Sequence, residues 1–307
     1  AGDGLSRIFW WGLLVAGVAA PLVIGDFAII VLTEIAILAL FAASLHFLLW
    51  GGGLITFGHA AYFGLGAYGS GLAVFHLSLG MAPALLLAPL AGAAGALLFG
   101  WFCVRLSGIY MAMLTLAFAQ IAWSAAFQWG GFTGGDNGIL GVWPSDWASD
   151  PFVFYYLAFA VCAAVIWGLR HTVFSPFGYT LRATRDSALR SAAIGVDVTR
   201  HRWLAFTLAG AAAGVAGGFF AFAKGSVFPE VLFVSTSVDG LVMVLLGGVQ
   251  SLAGPILGAI ALTEIETELT RLTDLWQLCL GILIILLVVV LPHGLAGLSA
   301  FMRRRQP

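Results

Sequence analysis

The side chains that could do chemistry are few, and most of them sit in one interval. Arg182, Arg185, Arg190, Arg200 and Arg202 fall between His171 and Arg202, with Arg170 just before and only Asp186 and Asp197 opposing them. Elsewhere, Glu264 and Glu268 lie one helical turn apart, with Arg271 a further turn on, so a helix would present all three on one face. Paired carboxylates can act as acid and base. No nucleophile, metal-ligand set or cofactor motif accompanies them, and a solvated helix end explains the pair better. Cys103, Cys162 and Cys279 each stand alone in or beside an apolar run, which gives neither a metal site nor a disulfide framework. The phosphate-cradling pattern G-x-x-x-x-G-K-[ST] is absent, and the single lysine is Lys224. The chain is therefore expected to be no enzyme and to hold no metal or cofactor of its own.

The background to these residues is apolar. Of 307 residues, 61% are hydrophobic and 9% charged, with a mean hydropathy of +1.04. A soluble domain carries about 25% charged residues, so this chain is expected in a lipid bilayer, as one transmembrane domain over residues 1–307. No nucleic-acid partner is expected. The first apolar run has no convincing small-residue cleavage site, so no cleavable leader is read there.

A span needs about 20 apolar residues. Runs of that kind cover Ile8–Ile24, Phe27–Trp50, Leu54–Leu77, Ala82–Val104, Ile109–Gln128, Phe152–Leu169, Trp203–Ala223, Val238–Ile265 and Leu275–Leu291. Gly247, Gly248, Gly254 and Pro255 interrupt the eighth, favouring two shorter legs and about ten membrane segments, all α-helical with glycine breaks. With both termini in the cytoplasm, that count puts every Lys and Arg inside except Lys224 and Arg271, as the positive-inside rule expects. Residues 171–202 become a cytoplasmic loop, and residues 129–151 an outward loop with Trp129, Trp143 and Trp147 at the interface.

The basic loop reads as two short helices. Ser175 before Pro176 starts one, Asp186 can cap the next, Gly195 can end it, and Asp197 or Thr199 opens the following span. Ala192, Ala193 and Ile194 are expected to be exposed there, and short alanine-rich helices need a partner to stay folded. A weak echo links Gly53–His59 with Gly248–Gly254. Both have the form Gly-x-x-Ser/Thr-apolar-small, and each lies where a descending segment gives way to an ascending one.

Several longer stretches resemble one family. They are GGGLITFGHAAYFGLGAYGSGL (Gly51–Leu72), RLSGIYMAMLTLAFAQ (Arg105–Gln120), FTGGDNGI (Phe132–Ile139), SPFGYTLRATRDSALRSAAIGVDVTRHRWLAF (Ser175–Phe206) and GLVMVLLGGVQSLAGPILGA (Gly240–Ala259). In that order they are similar to permeases of the branched-chain amino acid ABC importers, the LivM/LivH type, and RLSGIY and GGDNG resemble the LivM side. The resemblance implies an inner-membrane permease paired with a LivH-like permease. It further implies two cytoplasmic ATPase subunits, which would bind the ATP and Mg, and a periplasmic substrate-binding protein. Carried onto this chain, the ATPase-coupling segment falls on Arg182, Arg185, Asp186, Arg190, Ala192, Ala193 and Gly195. The general docking pattern E-A-A-x-x-x-G is not met, because serine precedes Ala192 and the glycine comes too early. Relatives of this type also carry urea, short amides or aromatic acids.

Polar residues at membrane depth are costly and usually face a cavity or the protein interior. Thr56, His59, Gln250 and Ser251 are therefore candidates to line the translocation path, the alternative for His59 being a bond to a backbone carbonyl freed by the glycines. Glu34 either pairs inside the bundle or touches the same path, and Thr115 and Gln120 join it as lesser candidates. Asp136, Asp150, Glu264 and Glu268 could meet a binding protein through charge complementarity. Gly64, Gly66, Gly69, Gly71, Gly210, Gly214 and Gly217 have the small-residue spacing that brings helices close. A passive channel is the rival from another transport class. An intramembrane hydrolase would need a nucleophile–base pair that the sequence lacks.

Overall fold

The computed structural model describes residues 12, 15–21, 26–272, 275, 277–282, 285, 294 and 295. The fold is all-α: α1 (Asp26–His46), continued by a π-helical turn (Phe47–Gly52), α2 (Ala60–Leu77), α3 (Met81–Cys103), α4 (Gly108–Gln128) and α5 (Pro151–Val173). Then come α6 (Pro176–Asp186), α7 (Ala188–Ala193), α8 (Val198–Lys224), α9 (Val234–Gly247) and α10 (Gly254–Leu272). Five of these are long and apolar enough to cross a bilayer among the described residues: α1 with its π-helical turn, α3, α4, α5 and α8. The chain is a polytopic membrane protein. The expected segments Ile8–Ile24 and Leu275–Leu291 lie largely outside the described residues, as do Arg7 and Arg303–Arg305, so the count of ten segments rests on the sequence alone.

Two expected segments take a different form. The run Leu54–Leu77 is not one helix: residues 53–59 are non-helical and α2 begins only at Ala60. The run Val238–Ile265 is two helices, α9 and α10, parted by residues 248–253. Glycine accounts for both breaks. Gly53 and Gly248 hold φ of +63° and +102°, the left-handed side that glycine alone reaches freely. The residues of the sequence echo thus occupy equivalent places, each opening where a helix ends and a second helix resumes.

The bundle is centred on α8, which packs on α3 and α2 and also reaches α1. Alanine and glycine make that proximity possible. A Cβ at Gly66 would strike the carbonyl of Gly214, one at Gly92 would strike that of Gly210, and one at Gly217 would strike that of Phe63. Backbone therefore touches backbone where α2, α3 and α8 cross, the role expected of Gly66, Gly210, Gly214 and Gly217. Large side chains fill the remaining space, with Tyr62, Phe63, Phe206 and Phe222 fully buried. A two-stranded antiparallel ribbon, Ile139–Leu140 against Ser226–Val227, ties the loop after α4 to the end of α8.

Candidate functional site: two chain breaks and a basic helix pair

The first break needs support from outside the helices, because residues 55–59 donate no backbone-to-backbone hydrogen bond inside an apolar bundle. Three side chains supply it. Phe57 N–H donates to Thr115 Oγ1 at 3.2 Å, Gly58 N–H to Thr56 Oγ1 at 3.3 Å, and Ala60 N–H to Ser237 Oγ at 2.9 Å. Gly58 has no side chain because a Cβ there would overlap the Thr115 carbonyl on α4. Thr56, Thr115 and Ser237 are all buried.

His59 is 0% exposed, with its ring near those of Phe41 and Tyr62. Its Nε2 lies 2.8 Å from Ser44 Oγ, and that hydroxyl donates its one proton to the Phe41 carbonyl at 2.7 Å. Nε2–H must then be the donor to Ser44. Nδ1 is left buried without a hydrogen-bond partner among the described residues. His59 therefore bonds neither an open path nor a freed carbonyl: in this conformation it is locked to α1.

The second break is a tight turn. Ser251 N–H donates to the Gly248 carbonyl at 3.3 Å, and Gly254 N–H to that of Ser251 at 3.0 Å. Ser251 Oγ accepts from Ala253 N–H at 3.3 Å, while Gln250 is exposed. The helices that leave this turn run backbone against backbone, because Cβ atoms at Gly247 and Gly258 would strike the carbonyls of Gly254 and Met243. A residue overlooked in the sequence closes the arrangement. His46 on α1 donates from Nε2 to the Val249 carbonyl at 2.8 Å and stacks on Trp50 at 6.3 Å, with ring planes 12° apart. A histidine late in a long apolar span, one turn before a tryptophan, was the available signal.

Helices α6 and α7 are built as the sequence suggests, with one shift of cap. Ser175 Oγ accepts from Gly178 N–H at 3.4 Å with Pro176 in the first turn, and Asp197 Oδ1 accepts from Arg200 N–H at 2.9 Å to open α8. Ser187, not Asp186, caps α7, since its Oγ takes Arg190 N–H at 3.3 Å. Asp186 is the last residue of α6 and pairs instead with Arg185 at 3.3 Å. Leu181 is fully buried against Gly51 and Gly52. Arg185 lays its stem on Gly53 and donates from Nη1 to the Trp50 carbonyl at 2.6 Å. Arg182 packs over Trp50 and Tyr179 and donates to the Val173 carbonyl at 3.2 Å. The outward face carries Arg190, Ala192, Ala193 and Gly195, together with Leu189 and Ile194, which are 84% and 80% exposed.

Residues 27–289 match the branched-chain amino acid transport system permease component family. The chain belongs to that family. The high-affinity branched-chain amino acid permease LivM of Salmonella typhimurium (strain LT2) is 30% identical over 96% of this chain and 76% of its own length. LivM of Escherichia coli (strain K12) is 29% identical over the same shares. LsrC, the autoinducer 2 import system permease protein of Klebsiella pneumoniae (strain ATCC 700721 / MGH 78578), is 35% identical over 50% of the chain and 43% of its own length. No solved structure matches.

The rest of the permease bears on the other candidates. Glu34, on α1, pairs with Lys224 at the end of α8 at 2.9 Å, with side chains 30% and 45% exposed. It is thus a half-exposed ion pair joining α1 to the end of α8. Asp150 caps α5 through Phe152 N–H at 2.9 Å, and Glu268 pairs with Arg271 at 3.1 Å. Asp136 is exposed in a short 3-10 turn. Glu264 borders a largely apolar cavity of about 720 Å³ between residues 16–20, α1, α5 and α10. Gln120 is half-buried, and Thr115 is spent on Phe57. Among the described residues, no cluster of His, Cys, Asp or Glu could hold a metal ion.

Proposed function

We propose that this chain is the membrane subunit of an ATP-driven importer for branched-chain or other hydrophobic amino acids, sitting in a bacterial inner membrane. It would pair with a LivH-like permease and work with two ATPase subunits and a periplasmic binding protein. In this reading the end bearing α6 and α7 faces the cytoplasm. Binding of ATP by the partners rocks the permeases between outward- and inward-open states. The observation that carries it is the two-sided character of the α6–α7 pair. One side grips the first chain break through Leu181 and Arg185. The other presents Leu189, Ala192, Ala193 and Ile194 with no cover among the described residues. Exposed apolar groups ringed by arginines suit a partner protein better than water.

Thr56 and His59 would reach solute only if the first break opened, whereas Gln250 is already exposed. On α4, Gln120, Ser124 and Gln128 recur every four residues, with Gln128 Nε2 donating to Ser124 Oγ at 2.7 Å. A polar stripe on a membrane helix suits an aqueous path or a partner permease better than lipid. Asp136 would be the binding-protein contact best placed of the four acidic candidates, since Asp150 is spent as a helix cap, Glu268 pairs with Arg271 and Glu264 borders the apolar cavity.

The test is purification with candidate ATPase subunits. Ala192→Glu combined with Ala193→Glu should lower recovery of the complex, or its coupled ATP hydrolysis, by roughly tenfold, as loss of interface anchors does. Intact assembly with intact coupled hydrolysis would sink the reading. A second solute class is favoured by one observation, the likeness to an autoinducer 2 import permease over half the chain. Urea, short amides and aromatic acids belong to the same alternative. Uptake of labelled leucine, competed by each of these, decides between them. Uptake by liposomes holding this chain alone would instead favour a passive channel.

A further inference from the structure

We propose that Trp50 is the joint through which the α6–α7 pair sets both chain breaks, a positioning role that rests on the ATP-coupled reading above. Three contacts meet on this one residue. Its ring takes the Arg182 guanidinium at 5.0 Å and stacks with His46, and its carbonyl accepts from Arg185 Nη1 at 2.6 Å. The next three residues are Gly51, Gly52 and Gly53, where the first break opens. His46 carries the contact onward, because its Nε2 holds the Val249 carbonyl of the second break at 2.8 Å. A side chain on α6 is thus joined to a turn distant in sequence through two stacked rings and two hydrogen bonds.

The turn that holds Trp50 is built to change. Phe47–Gly52 is π-helical, with hydrogen bonds that reach one residue further than those of an α-helix, and such turns are rare and concentrate at functional sites. Tightening it to α would rotate Trp50 and draw in the glycines. Leu181 seated on Gly51 and Gly52 means α6 cannot shift without pressing on this turn. On its other side, α6 is held to α8 by Arg202 Nη2, which donates to the Thr184 carbonyl at 3.2 Å. A push on α7 is therefore delivered at Trp50 rather than absorbed by free rotation of α6. A two-state element touched from both sides is what coupling requires physically.

The experiment uses the assembled transporter with Cys103, Cys162 and Cys279 replaced by alanine. Spin labels are placed at Leu189→Cys on α7 and Gln250→Cys in the second break, and spectra are recorded with and without ATP plus vanadate. In the parent, both labels should change on nucleotide binding. In Trp50→Ala and in Arg182→Gln the change at position 189 should persist, while that at position 250 falls roughly tenfold, toward the upper end for a coupling residue. Trp50→Phe, which keeps a stacking ring, should hold most of the response. Persistence of the full response at position 250 in Trp50→Ala overturns the joint alone, as does a parent in which only position 189 responds, or Trp50→Phe failing as badly as Trp50→Ala. No response at position 189 in the parent overturns the ATP-coupled reading itself. Should Trp50→Ala fail to assemble, Arg182→Gln on the half-buried face of α6 carries the same comparison.

Discussion

Single residues hold the first break closed. Ser237 gives its oxygen to Ala60 N–H in a fully buried setting, so Ser237→Ala leaves a donor with nothing to bind. The cost should be about 1–3 kcal/mol, read as a lower melting temperature in detergent, whereas Ser237→Thr keeps the oxygen and should lose less. No loss with alanine would mean that another acceptor takes over. His59 shows how far sequence reasoning reached at this scale. Its type and depth marked it as special, but its partner, Ser44, lies on α1, on the far side of the break. Nothing in the spacing Gly51–His59 could name that residue. Glu34 is the same case: a carboxylate in a span needs a partner, and Lys224 became that partner only when α1 and α8 were laid side by side.

Elements in this bundle are set by where glycine is required and where it is idle. Gly217 on α8 lies against the Phe63 carbonyl of α2, while Gly168 on α5 has open space around it. Gly217→Ala should force α2 and α8 apart and destabilise by about 1–3 kcal/mol, as overpacking does. Gly168→Ala should be neutral, or stabilising by up to about 1 kcal/mol, because a mid-helix glycine is replaced without a clash. Thermal unfolding of the two variants side by side checks this. Equal behaviour would remove the claim that the glycines of α8 are there for contact. Helix extents were largely legible: runs of apolar residues foretold α3, α4, α5 and α8, and the Ser175 and Asp197 caps fell where expected. The opening of α2 was not legible, since Leu54–His59 is as apolar as a helix would be. It stays non-helical with Thr115 and Thr56 holding the amides of Phe57 and Gly58, and Ser237 holding that of Ala60 where α2 begins.

Among the described residues most of the arginines gather at the α6–α7 end, while Lys224 sits at the far end of α8 and Arg271 in the last turn of α10. On the proposed topology, the positive-inside tendency would put the α6–α7 end in the cytoplasm. A single cysteine placed by Arg190→Cys, in a background without Cys103, Cys162 and Cys279, should be labelled by an impermeant maleimide only in inverted vesicles. Labelling from the periplasmic face of intact cells would reverse the topology and remove the ATP-coupled reading with it. The Glu34–Lys224 pair offers a second check at this scale. Glu34→Lys alone should lower the amount of folded permease in the membrane, and adding Lys224→Glu should restore it, because an unmatched pair of like charges beside a bilayer is costly.

Composition and local order determined that this is a polytopic helical membrane protein, placed its basic helix pair, and put its two interruptions at glycine-rich stretches. Those properties depend on neighbours within a few residues, through hydropathy, caps and φ freedom, so they can be read along the chain. Only the tertiary structure decided that the end of α1 is joined to α6, through Arg185 on Trp50, and to the second interruption, through His46 on Val249. It also decided that His59 is locked rather than open and that Leu189 and Ile194 stand uncovered. Contacts of that kind join residues far apart in sequence, and they exist only once the helices have packed at distances that glycine and alanine permit.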